Sequence, residues 1–382
     1  MWKIQCKIRI GCVWKLQLKK QQKKKLCFWL SFVWVIAVVY LSSAAGYLHH
    51  NNVDMEQEWE KKLHAAETLS TEEEEAAQEA ILVNVSTYLE GIDNIDIRQS
   101  KYEMNFQVCF VWKDGVLLHG EPLINMEKRF TVYNGRITTQ ETLENKVSSE
   151  GIRIQRIRVN AAVNNVFDTT RFPLGSYQIR MYLMPNDDIK EIRWLPDVEN
   201  CRVNEGLSIA GFALERFDSN IFYHRDTEKL HYDHQEVEEA NHTYSELLTA
   251  MEFKRDSWGL YLKCIIALLG TSVWAFLMLG TCIHHRVDSL GMLPAVLFGT
   301  VSNILVGANL VPDAMETGLL EFINIWGIYT VIIISCAIMQ TSHIRKNNGD
   351  EVFARLFGKW MLISILLTTV IGHILLPLSA FV

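Results

Sequence analysis

Cysteine is scarce where it would matter in this sequence. Eight are present, but only Cys109 and Cys201 fall between residue 46 and the apolar last third of the chain. Two separated cysteines give neither a disulfide framework nor a metal-ligand spacing, and whether they pair stays open. Cys6, Cys12 and Cys27 precede that stretch, while Cys264, Cys282 and Cys336 sit in apolar runs, where a thiol is a small hydrophobe. The stretch also lacks His-Glu-x-x-His, Gly-x-Ser-x-Gly and any phosphate loop, so no catalysis and no cofactor are expected. Acid is absent from residues 1–25, which hold nine Lys or Arg. With a net charge of −7 for the whole chain, the remainder carries −16. A basic head and an acidic body are expected on opposite sides of a membrane.

What is present is apolar length. Four runs, 258–283, 287–310, 319–340 and 360–380, each reach the roughly 20 residues needed to span a bilayer. The second is punctuated by Asp288, Ser289, Thr300, Ser302, Asn303 and Asn309, with Gly291, Gly299 and Gly307 between them. Polar groups within lipid must face protein or a water-filled path, which makes this run a candidate pore helix. Its small residues equally suit a helix packed closely in a bundle. The linkers after the first and third runs carry Arg286 and Arg345, Lys346, Arg355 and Lys359, whereas the short second link carries Asp313 and Glu316 and no base. Positive residues favour the cytoplasm, so the preceding domain and the C terminus are expected outside. The basic head leads into Leu26–Leu41 and the small residues Ser42, Ser43, Ala44, Ala45 and Gly46. This reads as a signal peptide over 1–45, cleaved near Ala45, or as an uncleaved anchor carrying Trp29 and Trp34.

Residues 46–80 form a polar extension. Met55, Trp59 and Leu63 at helical spacing, then Thr71 and Glu74 as a capping box, predict a short helix or two. The run Glu72 to Glu75 reads as a solvated first turn. From Ile81 the period becomes two: Tyr102, Met104, Phe106, Val108, Phe110 and Trp112 alternate with more polar neighbours, as do Ile157 to Val163 and Tyr177 to Leu183. Further strands are expected at 129–134, 191–195, 207–224 and 246–255. Many short strands without long amphipathic helices predict an exported antiparallel β-sandwich over 81–256, followed by a four-helix transmembrane bundle over 257–382. The segment 223–243 reads as a charged loop, with His231 and His234 a solvated pair and no metal site expected. His284, His285 and His373 read as interfacial or bundle residues. Asn84-Val85-Ser86 and Asn241-His242-Thr243 are sequons in the exported part.

Phe167-Asp168-Thr169-Thr170-Arg171-Phe172-Pro173, Met251-Glu252-Phe253-Lys254-Arg255 before the first run, and Asn303-Ile304-Leu305-Val306 followed by Asn309-Leu310 and Pro312 occur in that order along the chain. Together with Trp194-Leu195-Pro196-Asp197 and Phe110-Val111-Trp112, this order resembles the pentameric ligand-gated ion channels over residues 80–382. The absence of cysteine between 109 and 201 is similar to prokaryotic members of that family, which lack the Cys-loop disulfide. Where the family loop continues with Asp and Gln after Phe-Pro, this chain has Gly175 and Tyr177.

The resemblance implies a homopentamer in the cell membrane, gated by a small-molecule ligand or protons, surrounded by lipid and without a nucleic-acid partner. It implies a pore lined by Asp288, Leu290, Pro294, Leu297, Val301, Ile304 and Ala308, with Leu297 as a dewetting constriction and Asp288 as an acidic ring favouring permeant cations. A slight rotation would present Ser289, Val296, Thr300, Asn303 and Gly307 instead. It places Glu90, Asp93, Asp168, Phe172, Pro173, Arg255, Pro312 and Asp313 at the junction that couples ligand to pore, with Arg255 ringed by carboxylates. It offers Phe130, Tyr133, Tyr182 and Tyr223 as ligand contacts in a pocket between subunits, with His224 and Tyr232 near them and Phe110 and Trp112 from the neighbouring subunit, although strand aromatics also pack inward. A receptor that binds without conducting is the alternative, because Pro294 would kink a pore helix.

Overall fold

The computed structural model describes residues 19–64, 69–207, 209, 211–228, 231–232, 235–236, 240–255, 258–285, 289–310 and 317–381. In chain order the elements are α1 (Lys20–His64), α2 (Thr71–Ala76), β1 (Ile81–Asp96), β2 (Lys101–Lys113), β3 (Leu117–Leu118), β4 (Glu121–Pro122), β5 (Phe130–Val132), β6 (Gly135–Val147), β7 (Ile152–Asn164), β8 (Tyr177–Pro185), β9 (Ile192–Pro196), β10 (Arg202–Val203), β11 (Phe212–Glu228), β12 (His231–Tyr232), β13 (Gln235–Glu236), β14 (Ala240–Arg255), α3 (Gly259–His285), α4 (Leu293–Leu310), α5 (Leu319–Asn348) and α6 (Glu351–Phe381). They fall into two compact units. One holds Met1–Asn52, Thr170–Leu174 and Gly259–Val382; the other holds Val53–Thr169 and Gly175–Trp258.

The second unit is β-rich. Its larger sheet runs β10-β1-β2-β7-β6, with β9 also on β1, and its smaller runs β11-β14-β8-β5. Pairing is antiparallel except along β1, which β9 and β10 both join in parallel. The 3-10 turn Val198–Asn200 between them lets the chain follow β1 twice in one direction, so the larger sheet is mixed, while the smaller is purely antiparallel. The inward residues of β2, Tyr102 to Trp112, are all buried, as the alternation predicts. Phe110 meets Phe130 of the smaller sheet at 5.3 Å and Trp194 at 5.6 Å between ring centroids. Aromatic pairs at this spacing add about 0.5–1.5 kcal/mol beyond their burial. The segment expected as the 223–243 loop is largely strand, because β11 continues to Glu228 and β14 starts at Ala240.

The 46–80 extension is helical, but its first helix is the end of α1, which begins at Lys20 and runs unbroken through Ser42–Gly46. Trp59 and Leu63 are buried against Leu248 and Ala250, with Tyr182 and Phe222 packed beside them. Burial of a side chain of this kind is worth roughly 1.5–3 kcal/mol. The capping box lies one residue earlier than expected: Ser70 Oγ accepts from the Glu73 N–H, and the Ser70 N–H donates to Glu73 Oε2 at 2.8 Å. Glu73 is therefore not merely solvated.

The first unit is helical. Among the described residues, five helices are long and apolar enough to cross a membrane: α1 and the four beyond residue 258. The third and fourth extend well past their apolar runs, so the linker expected at about 341–359 shrinks to Gly349 and Asp350. Gly349 ends α5 in the left-handed conformation, φ 60°, which glycine adopts without penalty. Arg345 reaches back to donate to the Cys282 carbonyl at 2.8 Å, satisfying the C-terminal end of α3. In α1, Val33, Ala37, Leu41, Ala44 and Leu48 form a buried stripe. Tyr40 stacks on Trp326 at 5.7 Å and donates to the Phe322 carbonyl at 2.8 Å, while Tyr329 donates to the Val33 carbonyl at 3.0 Å.

Candidate functional site

The second apolar run folds as a 3-10 turn, Ser289–Met292, followed by α4. Pro294 therefore sits in the first turn of the α-helix, where its missing N–H would have had no intrahelical partner. A proline at this position starts the α-helix instead of interrupting it. Ser289 Oγ donates to the Met278 carbonyl at 2.8 Å, and Asn303 Nδ2 donates to Asn324 Oδ1 at 2.7 Å. Gly299 lets α4 close on α3: a Cβ there would stand 2.0 Å from Thr271 Cγ2.

These contacts sort the two faces that sequence leaves open. Ser289, Val296, Thr300, Asn303 and Gly307 are buried, Asn303 to 1% exposure, against the helices of their own chain. Pro294, Leu297, Val301, Ile304 and Ala308 are exposed, Leu297 at 41%, and Leu290 is half-buried. Asp288, Pro312 and Asp313 lie outside the described residues, as does His234.

The coupling candidates are more scattered. Glu90 accepts a bidentate interaction from Arg158 at 2.9–3.2 Å and a bond from Gln107. Partial burial raises its carboxyl, and these bonds outweigh that and hold it below its usual range. Asp93 accepts from Asn105 at 2.6 Å. The Arg255 guanidinium lies over the Phe212 ring, 4.2 Å from its centroid, and Asp313 of the expected carboxylate ring is outside the described residues. Asp168 belongs to the β-rich unit, whereas Phe172 and Pro173 belong to the helical one, joined by a cis peptide and both buried. There Leu319 N–H donates to the Thr170 carbonyl at 2.7 Å, and Arg171 bonds Asn52.

Within one chain the ligand candidates take different positions. Phe130 is a core residue, and so are Phe110 and Trp112, whose indole donates to the Leu123 carbonyl. Side chains alternate along a strand, so Tyr223 and His224 face opposite ways. Tyr223 Oη lies 3.4 Å from Arg193 Nη2, while the His224 ring lies tilted against exposed Tyr133, 4.7 Å between centroids. Tyr182 packs beneath Trp59 and Leu63 of α1. Tyr133 and His224 are thus the aromatic pair left open, and the side chain of Tyr232 lies outside the description.

Two features had no site signal in the sequence. Glu73 is held by Arg225 at 2.8 and 2.9 Å and by Thr243 Oγ1 at 2.8 Å, and the Arg225 bonds pull its carboxyl far below the usual range. Asp188 accepts from the Thr243 N–H at 3.3 Å and lies 3.2 Å from His242 Nδ1. Both depend on pairing between distant segments. Cys109 and Cys201 are free thiols, and burial pushes the Cys109 thiol up. Comparison with protein-family models and with curated proteins finds no match for this chain.

Proposed function

We propose that the chain is a subunit of a pentameric ligand-gated ion channel in the cell membrane, its two sheets forming an exported sandwich and α3 to α6 a four-helix pore domain. The supporting observation is the one-sided covering of α4. Ser289 just before it bonds to α3 and Asn303 bonds to α5, while Pro294, Leu297, Val301, Ile304 and Ala308 lie bare. In a ring of five copies that stripe lines the axis, and Leu297 forms the apolar constriction that closes the pore by dewetting. Pro294 in the first turn of α4 supports this reading, since a proline there interrupts no α-helix.

In this reading the permeant ions are cations, drawn by a ring of Asp288 and by the acidic exported domain. The ligand or proton acts on the sheet face that carries Tyr133 and His224. The N-terminal helix is an uncleaved anchor with its basic end in the cytoplasm, supported by the buried stripe from Val33 to Leu48 and the Tyr40–Trp326 stack.

The test is to record from the purified full chain in planar bilayers across a salt gradient, while stepping external pH and adding divalent cations and small amines. A current that reverses near the cation potential supports the proposal. Silence from a verified pentamer across that panel overturns it in favour of a receptor that does not conduct.

A further inference from the structure

His119 occupies the tip of the β3–β4 hairpin. Its φ is 48° and that of Gly120 is 83°, two successive left-handed residues as a type I′ turn requires. Histidine adopts left-handed backbone more often than most residues, and the turn sets its imidazole at the hairpin tip. Its Nε2 lies 3.3 Å from Glu191 Oε2, and with an Asp187 oxygen the three atoms fall within 4.8 Å of one another.

The two carboxylates come from the turn after β8, which the backbone pins on several sides. Asn186 N–H donates to the Arg129 carbonyl at 2.9 Å. Glu191 and Ile192 N–H both donate to the Asp188 carbonyl, at 2.8 and 3.0 Å, and the Glu191 carbonyl accepts from Ile81 at 2.8 Å. Arg129 Nη1 donates to both Asp187 oxygens, at 3.2 and 3.4 Å.

We propose that His119, Asp187 and Glu191 form a binding site for a divalent transition cation of the zinc class. Metal bonds of about 2.0–2.2 Å to imidazole nitrogen and carboxylate oxygen set ligand atoms roughly 3–3.5 Å apart. The His119–Glu191 separation already meets that, and a rotation of the Asp187 carboxylate brings in the third atom. An imidazole in the set selects zinc-like ions over calcium and magnesium, which take oxygen ligands. Arg129 then orients a ligating carboxylate from outside the ligand set, a usual arrangement around bound metals. Two carboxylates and one guanidinium leave a net charge of −1 for the dication to meet. His119 is 60% and Glu191 38% exposed in their side chains, so water completes the coordination and the ion exchanges with solvent.

Loading the site ties the β3–β4 hairpin to the turn whose Asp188 carboxylate holds Thr243 and His242 at the start of β14. Binding at these residues does not depend on the channel reading.

The test is calorimetric titration of the purified full chain, free of any histidine tag, with zinc chloride, alongside His119→Asn and Glu191→Gln. Asparagine tolerates the left-handed backbone at position 119, so the hairpin survives the change. The expected result is a zinc site in the unaltered chain that weakens by more than tenfold in each variant, with unchanged circular dichroism, and no heat from calcium at the same concentration. Affinity retained within twofold in both variants, or no zinc binding by the unaltered chain, overturns the proposal. Should either variant misfold, Glu191→Asp, which keeps the ligand chemistry but shortens its reach, must still weaken zinc relative to the unaltered chain; equal affinity there also overturns it.

Discussion

Asn303 and Asn324 join α4 to α5 through a buried hydrogen bond of 2.7 Å between their side-chain amides. Interhelical bonds of this kind in membrane proteins contribute about 0.6–1.7 kcal/mol. Asn303→Ala and Asn324→Ala should each lower thermal stability in detergent. In a double-mutant cycle the coupling should fall in that range. A coupling of zero would mean that the two amides do not depend on each other.

Leu297 and Val296 are chain neighbours with opposite surroundings, one exposed and one buried. Leu297→Ser should leave assembly intact and give a standing current without ligand, because a hydroxyl wets the constriction. Val296→Ser should instead cost stability, on the order of 1–3 kcal/mol for a buried hydroxyl without a partner, with little change in unit conductance. Reversal of the two phenotypes would place the pore on the other face of α4.

Glu73 supplies an acid limb. Its carboxyl is lowered in the folded chain from an ordinary value of 4.5, chiefly by the Arg225 hydrogen bonds. A carboxylate with a depressed folded pKa contributes stability that is fully present above its unfolded pKa and is lost as pH falls toward the folded one. The unaltered chain should therefore exceed Arg225→Gln in melting temperature at pH 7, and the difference should shrink progressively below about pH 4.5. A difference that stays constant with pH would assign the effect to packing.

The α1 stripe bears on processing. The expected cleavage point near Ala45 lies within an unbroken helix whose Ala44 is buried. Intact-mass measurement of the purified protein should retain residues 1–45. Tyr40→Phe, which removes the bond to the Phe322 carbonyl, should cost about 0.5–1.5 kcal/mol. A mature mass lacking those residues would restore the signal peptide.

Strands buried on one face were legible in the sequence because alternation reports burial directly, as along β2 from Tyr102 to Trp112. β6 was not, since at the edge of its sheet it buries no continuous face and its polar residues carry no period. Hydropathy located the apolar parts of α5 and α6 but not their ends, because polar turns beyond the bilayer width leave no apolar signal. The cap at Ser70 was displaced by one residue, since Thr71 offers the same hydroxyl and Glu74 the same carboxylate in the next register. The placement of the ligand candidates was hidden for a related reason: composition groups Tyr133, Tyr182 and Tyr223 together, whereas strand parity and the covering helix separate them within one chain. Glu73–Arg225 and His119–Glu191 join residues 152 and 72 positions apart, and no local pattern marks such pairs.

With only Gly349 and Asp350 between the ends of α5 and α6, neither helix has slack to enter the bilayer alone. The two must insert as one hairpin, so the orientation of either fixes that of the other. Lengthening the turn would uncouple their insertion long before it affected their packing.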